Sequence, residues 1–151
     1  MNFTQKELLL LQDEKSHEEL SLDKYTKYSN QACSPEAKQL FDSIRQNEQK
    51  HLETINELIQ GNVPQVNQNQ NICCNLPEPK VVNQNQQEKQ NDKFYLQDAI
   101  ETEKYLSGTY NSAIFEFQNG QVRDVLNQIQ SEKQDIGYSV WQYMNANGMY
   151  N

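Results

Sequence analysis

The chain has 151 residues, a formal net charge of −8 and a sequence pI of about 4.7. This length suits one domain that buries a core of its own. The acidic balance argues against binding to nucleic-acid phosphates or to anionic membrane surfaces, because no basic stripe is present. The sequence contains no run of about 18 apolar residues, so we expect no transmembrane helix. The apolar run Leu8–Leu11 is too short for a secretory signal, so we expect cytoplasmic synthesis without a cleaved leader.

The sequence contains three cysteines, Cys33, Cys73 and Cys74. An odd count with two adjacent thiols is a poor framework for internal disulfides, and no Cys-x-x-Cys spacing suggests a metal. We expect three free thiols, with crosslinking between chains through the adjacent pair as the alternative in an oxidising compartment. Cys33 precedes a predicted helix, whose dipole would lower the thiol pKa, but no paired base is near in sequence.

The first half predicts two helices, at 4–30 and 34–60. Thr4 and Glu7 have the spacing of a capping box, and Ser34 is a good N-cap for the second helix. Apolar and other inward positions recur at steps of three and four, which is typical of one helix face. These positions are Leu8, Leu11, Glu14, Glu18, Leu22 and Tyr25, then Ala37, Leu40, Phe41, Ile44, Glu48, His51, Ile55 and Leu58.

Residues 61–91 are predicted to be a linker. Half of the residues from 62 to 91 are Asn or Gln, and three prolines interrupt the segment. Neither a helical nor a strand period is visible, which is typical of a biased connecting segment. At about 3.3 Å for each extended residue, such a linker can span the length of a helical bundle.

The second half predicts two further helices, at 92–118 and 120–147. Asn119-Gly120 is a turn signal between them. The inward positions again follow helical spacing. They are Leu96, Ile100, Glu103, Leu106, Ser107, Tyr110, Ile114 and Phe117, then Val122, Val125, Leu126, Ile129, Lys133, Ile136, Val140 and Tyr143.

The order of these elements predicts the fold class. Short connections make antiparallel hairpins of the first two and the last two helices, while the linker forms a long crossover. We therefore expect an all-α protein, a single domain over 1–151, with the ferritin-like form of the four-helix bundle.

Several inward positions carry polar side chains instead of apolar ones. Glu14, Glu18, Glu48, His51 and Glu103 occupy positions that a bundle helix normally keeps apolar. A buried carboxylate needs a cation, a hydrogen bond or water. Glu48 and His51 form a Glu-x-x-His pair on one helix face, which is half of a di-iron carboxylate site.

A complete di-metal site needs this pair twice. The residues around Ile44 and those around Ile129 match in pattern, so the second pair would fall at Lys133 and Ile136. An ammonium and an aliphatic side chain cannot bind a divalent cation. Their neighbours Glu132 and Asp135 are expected to face outwards or sideways.

Three interpretations of the inward polar residues follow. They are an oxidative di-iron enzyme, a single metal bound by Glu14, Glu48, His51 and Glu103, and a polar core neutralised by Lys133. The sequence favours the third. We therefore assign no catalytic, cofactor-binding or metal-binding residue, expect no cofactor, and expect His17 to lie on the surface.

Three pieces of the second half carry a family resemblance. They are Glu103-Lys104-Tyr105-Leu106, Tyr110-Asn111-Ser112-Ala113-Ile114 and Tyr143-Met144-Asn145-Ala146-Asn147-Gly148-Met149-Tyr150. With them the chain resembles the coat F family of spore coat proteins from clostridial and bacillar endospore formers. The first half, with His51 and the segment 61–64, is similar to the N-terminal hairpin of clostridial members.

The resemblance implies a ferritin-like fold and a structural role in the bacterial spore coat, without enzymatic activity. It also implies synthesis in the mother cell and assembly on the forespore. The expected partners are other spore coat proteins and further copies of the chain, with no nucleic acid and no membrane insertion. Two alternatives are a ferritin-like metal-binding or redox protein and a stress-related helical protein that exchanges hairpins between subunits.

Overall fold

The computed structural model describes residues 1–66 and 75–150, and in these ranges it contains four helices and no strand. The helices are α1 (Gln5–Gln31), α2 (Pro35–Ile59), α3 (Gln86–Ile114) and α4 (Gly120–Ala146). None of these helices is long and apolar enough to cross a membrane. The all-α prediction is confirmed for the described residues, while the predictions on Cys73 and Cys74 fall outside them.

The first two helices begin at the caps that the sequence predicts. Thr4 donates its backbone N–H to Glu7 Oε2 at 2.7 Å, and Glu7 N–H donates to Thr4 Oγ1 at 3.2 Å. These reciprocal bonds form a capping box. At the start of α2, Ser34 Oγ accepts a hydrogen bond from Ala37 N–H at 3.0 Å.

The start of α3 differs from the prediction of residue 92, because the helix begins at Gln86. Asn85 is its N-cap, and the Asn85 side chain accepts a hydrogen bond from Glu88 N–H at 2.9 Å. Glutamine is a good helix former, so Asn/Gln-rich composition does not by itself exclude a helix. The predicted linker therefore ends at residue 85 instead of 91.

The predicted end of α3 at residue 118 is also wrong, because the helix ends at Ile114. Phe117 still reaches the core from the connection that follows, with 3% of its surface exposed. Arg123 Nη1 donates to the Phe117 and Gln118 carbonyls at 2.7 and 2.8 Å. The apolar character of Phe117 thus reflects a buried turn and not a further helical turn.

The helices form two antiparallel hairpins, α1 with α2 and α3 with α4, and α1 also packs beside α3 while α4 packs beside α2. Glu7 at the start of α1 meets Gln118 beyond α3, whereas Cys33 beyond α1 meets Asp92 near the start of α3. Helices α1 and α3 are therefore antiparallel, and α2 and α3 are parallel. The end of α2 and the start of α3 therefore lie at opposite ends of the bundle. The length of the bundle is about 37 Å, at 1.5 Å for each residue of α2.

This arrangement confirms the predicted bundle of two paired hairpins, with one long crossover between them. Every inward position predicted for α2 and α4 is buried. The apolar core has two parts: one contains Tyr25, Phe41 and Ile136, and the other contains Ile55 and Ile129. Polar side chains lie between these two parts, halfway along the bundle.

The described ends of the connection pack against the bundle. Val66 contacts the core part that contains Ile129, and Val82 contacts the part that contains Ile136. Val82 N–H donates to Asn147 Oδ1 at 2.7 Å, and the Asn147 side chain donates to the Lys80 carbonyl at 2.8 Å. The last part of the connection is thereby fastened to the end of α4.

Candidate functional site

The polar side chains between the two core parts form what we call the central cluster. All of its members are at most 3% exposed. All four helices contribute, because each places a polar residue on its inward face at the same depth. The members are Glu14 and Glu18 of α1, Glu48 and His51 of α2, Glu103 of α3, and Glu132 and Lys133 of α4.

Lys133 is the cationic centre of this cluster. Its Nζ lies 2.8 Å from Glu18 Oε1 and 2.9 Å from Glu18 Oε2, and it also donates to Glu48 Oε2. The Tyr110 hydroxyl donates a further bond to Glu18 Oε1 at 2.6 Å. Burial opposes the charge on Lys133, but the Glu18 and Glu48 carboxylates outweigh it and raise the pKa of the ammonium. The geometry is the one that the polar-core interpretation requires.

His51 lies between two carboxylates. Its Nδ1 is 3.6 Å from Glu48 Oε2, and its Nε2 is 3.5 Å from Glu132 Oε1. Burial and the Lys133 ammonium lower the pKa of His51, but hydrogen bonding to Glu132 and Glu48 outweighs them and raises this pKa to about 9. An imidazolium donates from both ring nitrogens, which matches an acceptor on each side.

Glu132 corrects a prediction, because it is fully buried and does not face outwards. Its Oε2 accepts a hydrogen bond from Gln128 at 3.0 Å, in addition to the contact of Oε1 with His51. The sequence contained a signal for this inward position. Val125 and Leu126 are adjacent and both buried, and Glu132 and Lys133 lie seven residues after them, on the same face of the helix. The buried stripe of α4 is two residues wide, whereas Asp135 is exposed as predicted.

Glu103 and Glu14 lie at two margins of the cluster. The Tyr25 hydroxyl donates to Glu103 Oε1 at 2.7 Å, and burial together with the nearby Glu48 raises the pKa of Glu103 well above its usual range. Thr109 Oγ1 donates to Glu14 Oε2 at 3.0 Å, and burial raises the pKa of Glu14 to about 7. Both side chains thus favour the neutral acid more than an exposed glutamate does.

The structure brings together a different metal-capable set from the one considered in the sequence. Ligand atoms of Glu18, Glu48 and His51 lie within 4.8 Å of one another. Glu14 accepts a hydrogen bond from the Thr109 hydroxyl and Glu103 accepts one from the Tyr25 hydroxyl, and neither belongs to this set. The ammonium of Lys133 contacts Glu18 and Glu48, so a cation already balances two of the three groups. A metal ion would bind there only after this ammonium moved away.

The environment of Cys33 opposes the lowering of the thiol pKa that a helix dipole alone would cause. Desolvation and the Asp92 carboxylate raise the pKa of Cys33. Fully buried Asp92 accepts hydrogen bonds from the N–H groups of Cys33 at 2.6 Å and Ser34 at 3.0 Å. The carboxylate that holds the turn between α1 and α2 therefore opposes thiolate formation at its edge.

Comparison with protein families gives a match that covers residues 91–151 and is described as the Coat F domain. Residues 91–151 are therefore similar to the Coat F domain, and we refer to them by that name. This domain comprises most of α3, all of α4 and the residues after α4, and it contains the three sequence pieces that resemble the coat F family. Comparison with curated proteins and with solved structures gave no match.

The resemblance of the second half to the coat F family is therefore confirmed, and the Coat F domain supports a spore coat protein role. The resemblance of the first half to clostridial members stays a prediction. The central cluster joins this domain to the rest of the chain. Glu103, Glu132 and Lys133 lie within the matched residues, whereas Glu18 and Glu48 belong to the first hairpin. The ion pairs of Lys133 consequently connect the Coat F domain to the helices that precede it.

Proposed function

We propose that the protein is a structural component of the bacterial spore coat that assembles with other coat proteins and with copies of itself. The Coat F domain over residues 91–151 is the observation that carries this proposal. A structural role without catalysis accords with a central cluster in which Lys133 pairs with Glu18 and Glu48 and His51 lies between Glu48 and Glu132. Synthesis in the mother cell of an endospore former belongs to the same proposal.

The distribution of exposed aromatic side chains supports assembly through the second hairpin. All five exposed aromatic residues of the described chain lie in the Coat F domain. Aromatic residues are enriched in protein interfaces relative to the rest of the surface. The five are Phe94 at 66% exposure, Tyr105 at 62%, Phe115 at 81%, Tyr138 at 59% and Tyr150 at 46%.

Fractionation of purified spores tests the proposal. We expect an immunoblot to detect the chain in the insoluble coat fraction. Replacing Phe94 and Phe115 by Ser should move it to the soluble fraction, because both side chains are exposed and contribute to contact with partners. The matched control replaces exposed Leu9 and Leu20 of α1 by Ser and should leave the chain in the coat. Detection only in the cytosol of vegetative cells would contradict the proposal.

A metal-binding or redox function is the second candidate, because Glu18, Glu48 and His51 can present three ligand atoms to one ion. Elemental analysis after equilibration with Fe²⁺, Mn²⁺ or Zn²⁺ distinguishes the two candidates. Stoichiometric metal that is lost in Glu48→Ala and His51→Ala would favour this function over a purely structural one. Under the coat proposal, we expect the native chain to bind none of these ions stoichiometrically.

A further inference from the structure

A groove opens between α3 and α4 on the surface of the Coat F domain, with a volume of about 430 Å³. We call it the α3–α4 groove, and its lining includes Tyr138, Trp141 and Tyr150. The Tyr138 and Trp141 rings are stacked, with centroids 5.7 Å apart, and the Tyr150 ring meets Trp141 edge-on at 6.2 Å. Because an apolar group that displaces water from aromatic surface gains free energy, this lining suits an apolar occupant.

Phe115 is the most exposed aromatic side chain of the described residues, with 81% of its surface accessible. It follows the last residue of α3, and its φ of −67° and ψ of −16° continue the helical path. Lys104, which lines the α3–α4 groove, lies eleven residues earlier, a distance of three helical turns and about 20°. Phe115 and the groove therefore lie on the same side of α3, about 16 Å apart along its axis.

The charges beside Phe115 and beside the α3–α4 groove are opposite in sign. Glu116 follows Phe115, and it pairs with Lys6 at 2.7 Å on the surface. Such an exposed pair contributes little, so the Glu116 carboxylate is free to exchange this partner for another cation. Lys104 stands at the edge of the groove with its side chain 68% exposed, while the other two charged residues of the lining are buried. An acidic residue thus accompanies Phe115, and a basic one borders the groove.

Phe94 is the next most exposed aromatic side chain of the described residues, at 66%, and it matches the α3–α4 groove less well. Its ring already packs edge-on against Tyr95 of the same chain, with centroids 5.8 Å apart. Lys93 precedes it in the sequence, so its insertion would bring two lysines together at the edge of the groove. Phe115 is therefore the aromatic residue that both its exposure and its charged neighbour favour.

We propose that Phe115 of one chain inserts into the α3–α4 groove of a second chain, which returns the same contact. Because Phe115 and the groove lie on the same side of α3, a two-fold axis between them makes both contacts at once. Such an isologous contact closes as a dimer, whereas a head-to-tail contact continues into a ring or a fibre. The assignment rests on the proposed function, since it names the surface through which copies of the chain assemble.

Sedimentation equilibrium of the purified full chain tests the assignment. We expect a reversible equilibrium between the 17.7 kDa chain and a species of twice that mass. A native chain that stays monomeric would leave the groove to another occupant, such as a segment of a different coat protein, and would overturn the proposal. Masses that keep growing with concentration would also contradict it, because they indicate a head-to-tail contact.

Two matched variants test the contribution of Phe115. Phe115→Ser removes an exposed ring and should leave the fold intact, which circular dichroism verifies. We expect the dissociation constant of the dimer to rise about a hundredfold, since each lost aromatic contact costs roughly tenfold and the dimer contains two. Phe94→Ser should dimerise as the native chain does. Unchanged affinity in Phe115→Ser, or an equal loss in Phe94→Ser, would refute the role of Phe115.

A variant of the α3–α4 groove tests the other half of the contact. Gly137 lines the groove, and a Cβ at this position meets only Glu103 Cβ within 4 Å, at 3.9 Å. Gly137→Leu therefore places a side chain in the groove without a clash, and we expect this variant to be monomeric. Tyr138→Ser, at a 59% exposed lining residue, replaces it if Gly137→Leu does not fold. Native dimer affinity in the folded groove variant would contradict the proposal.

A mixture of the two kinds of variant tests whether the contact is reciprocal. Phe115→Ser keeps an open groove, and Gly137→Leu keeps Phe115, so a mixed pair retains one of the two contacts. We expect sedimentation to detect more association in the mixture than in either variant alone. A mixture no more associated than its separate components would overturn the reciprocal arrangement.

The dimer and the role in the spore coat can fail separately. A chain that is monomeric in solution but present in the insoluble coat fraction would overturn the dimer and not the coat role. A native dimer that depends on Phe115 but is absent from the coat fraction would support the dimer and overturn the coat role.

Discussion

Lys133 and Glu18 form a fully buried ion pair, with Nζ 2.8 Å from Oε1, that joins α4 of the second hairpin to α1 of the first. Lys133 also contacts Glu48 of α2, so one ammonium connects three helices. A buried ion pair adds little net stability relative to apolar residues, but loss of one partner leaves an uncompensated charge. The pair therefore defines how the two hairpins align at mid-height of the bundle.

Replacement of Lys133 by Met should destabilise the protein strongly. Glu18 and Glu48 would then lack their shared cation, and we expect the free energy of unfolding to fall by about 3–5 kcal/mol. Urea denaturation followed by circular dichroism measures this change. Lys104→Met is the matched control, because the Lys104 side chain is 68% exposed and its loss should change stability by at most about 0.5 kcal/mol.

Removing the carboxylate charges should rescue the Lys133→Met variant. The triple variant with Glu18→Gln and Glu48→Gln no longer buries an unpaired charge, so most of the lost stability should return. The same urea series provides the measurement. If the single Lys133→Met variant matched Lys104→Met in stability, the buried ion pair would not have the role described.

The stability of the protein should decrease as the pH rises from about 4.5 to 9. Burial raises the pKa of Glu14 to about 7, from a usual value of 4.5, and hydrogen bonding to Glu132 and Glu48 raises that of His51 to about 9, from 6.5. The folded chain therefore retains protons that the unfolded chain has released, which lowers the free energy of unfolding with rising pH. Urea midpoints at half-unit pH intervals measure this slope, and a flat or rising profile would contradict it.

His51 should dominate the upper part of this pH range. Its pKa rises from 6.5 to about 9 in the folded chain, so its contribution is complete below pH 6.5 and is lost as the pH passes 9. The shift corresponds to about 3 kcal/mol. His51→Gln should flatten the stability profile between pH 6.5 and 9, as measured in the same urea series.

Asp92→Ala should loosen the turn between α1 and α2. The fully buried Asp92 carboxylate accepts the N–H groups of Cys33 and Ser34, and their loss leaves two donors unpaired. We expect destabilisation by about 2–4 kcal/mol and faster hydrogen exchange at these two amides. Asp124→Ala on the exposed face of α4 is the control, and equal exchange rates in both variants would contradict this role of Asp92.

Replacing each of two glycines by alanine should change the stability of the protein in opposite directions. Gly61 has φ of +87°, which is strained for any residue with a Cβ, so Gly61→Ala should cost about 1 kcal/mol. Gly108 lies inside α3, and a Cβ there would contact nothing within 4 Å, so Gly108→Ala should add about 0.5–1 kcal/mol. Thermal unfolding of the two variants measures both signs, and the same sign for both would contradict this account.

Much of the fold was readable from the sequence because the periodic positions of α2 and α4 are consistently apolar or paired. The capping box at Thr4 and the N-cap at Ser34 rest on contacts three residues apart, which local sequence determines. The start of α3 at Gln86 was missed because a composition rich in Asn and Gln conceals a good N-cap at Asn85. Single-domain organisation and the ferritin-like description stay predictions.

The central cluster could be predicted from the sequence only in part. Glu48 and His51 were identified from their spacing, and Lys133 from its match to Glu48 in the other hairpin. The adjacent pair Val125 and Leu126, seven residues earlier, was a signal that Glu132 faces inwards, but the sequence alone could not indicate that Glu132 meets His51 of α2. It also could not show that Asp92 meets Cys33, which lies 59 residues earlier.

The number of helices, their pairing into hairpins and most inward positions could be predicted from the sequence, because they depend on local periodicity and capping. The resemblance to the coat F family rested on short residue motifs. The tertiary structure decided which charges meet. Packing places one ammonium between Glu18 and Glu48, and it turns Glu132 to His51. These contacts join residues more than 80 positions apart, or on different helices, so only the arrangement of all four helices determines them.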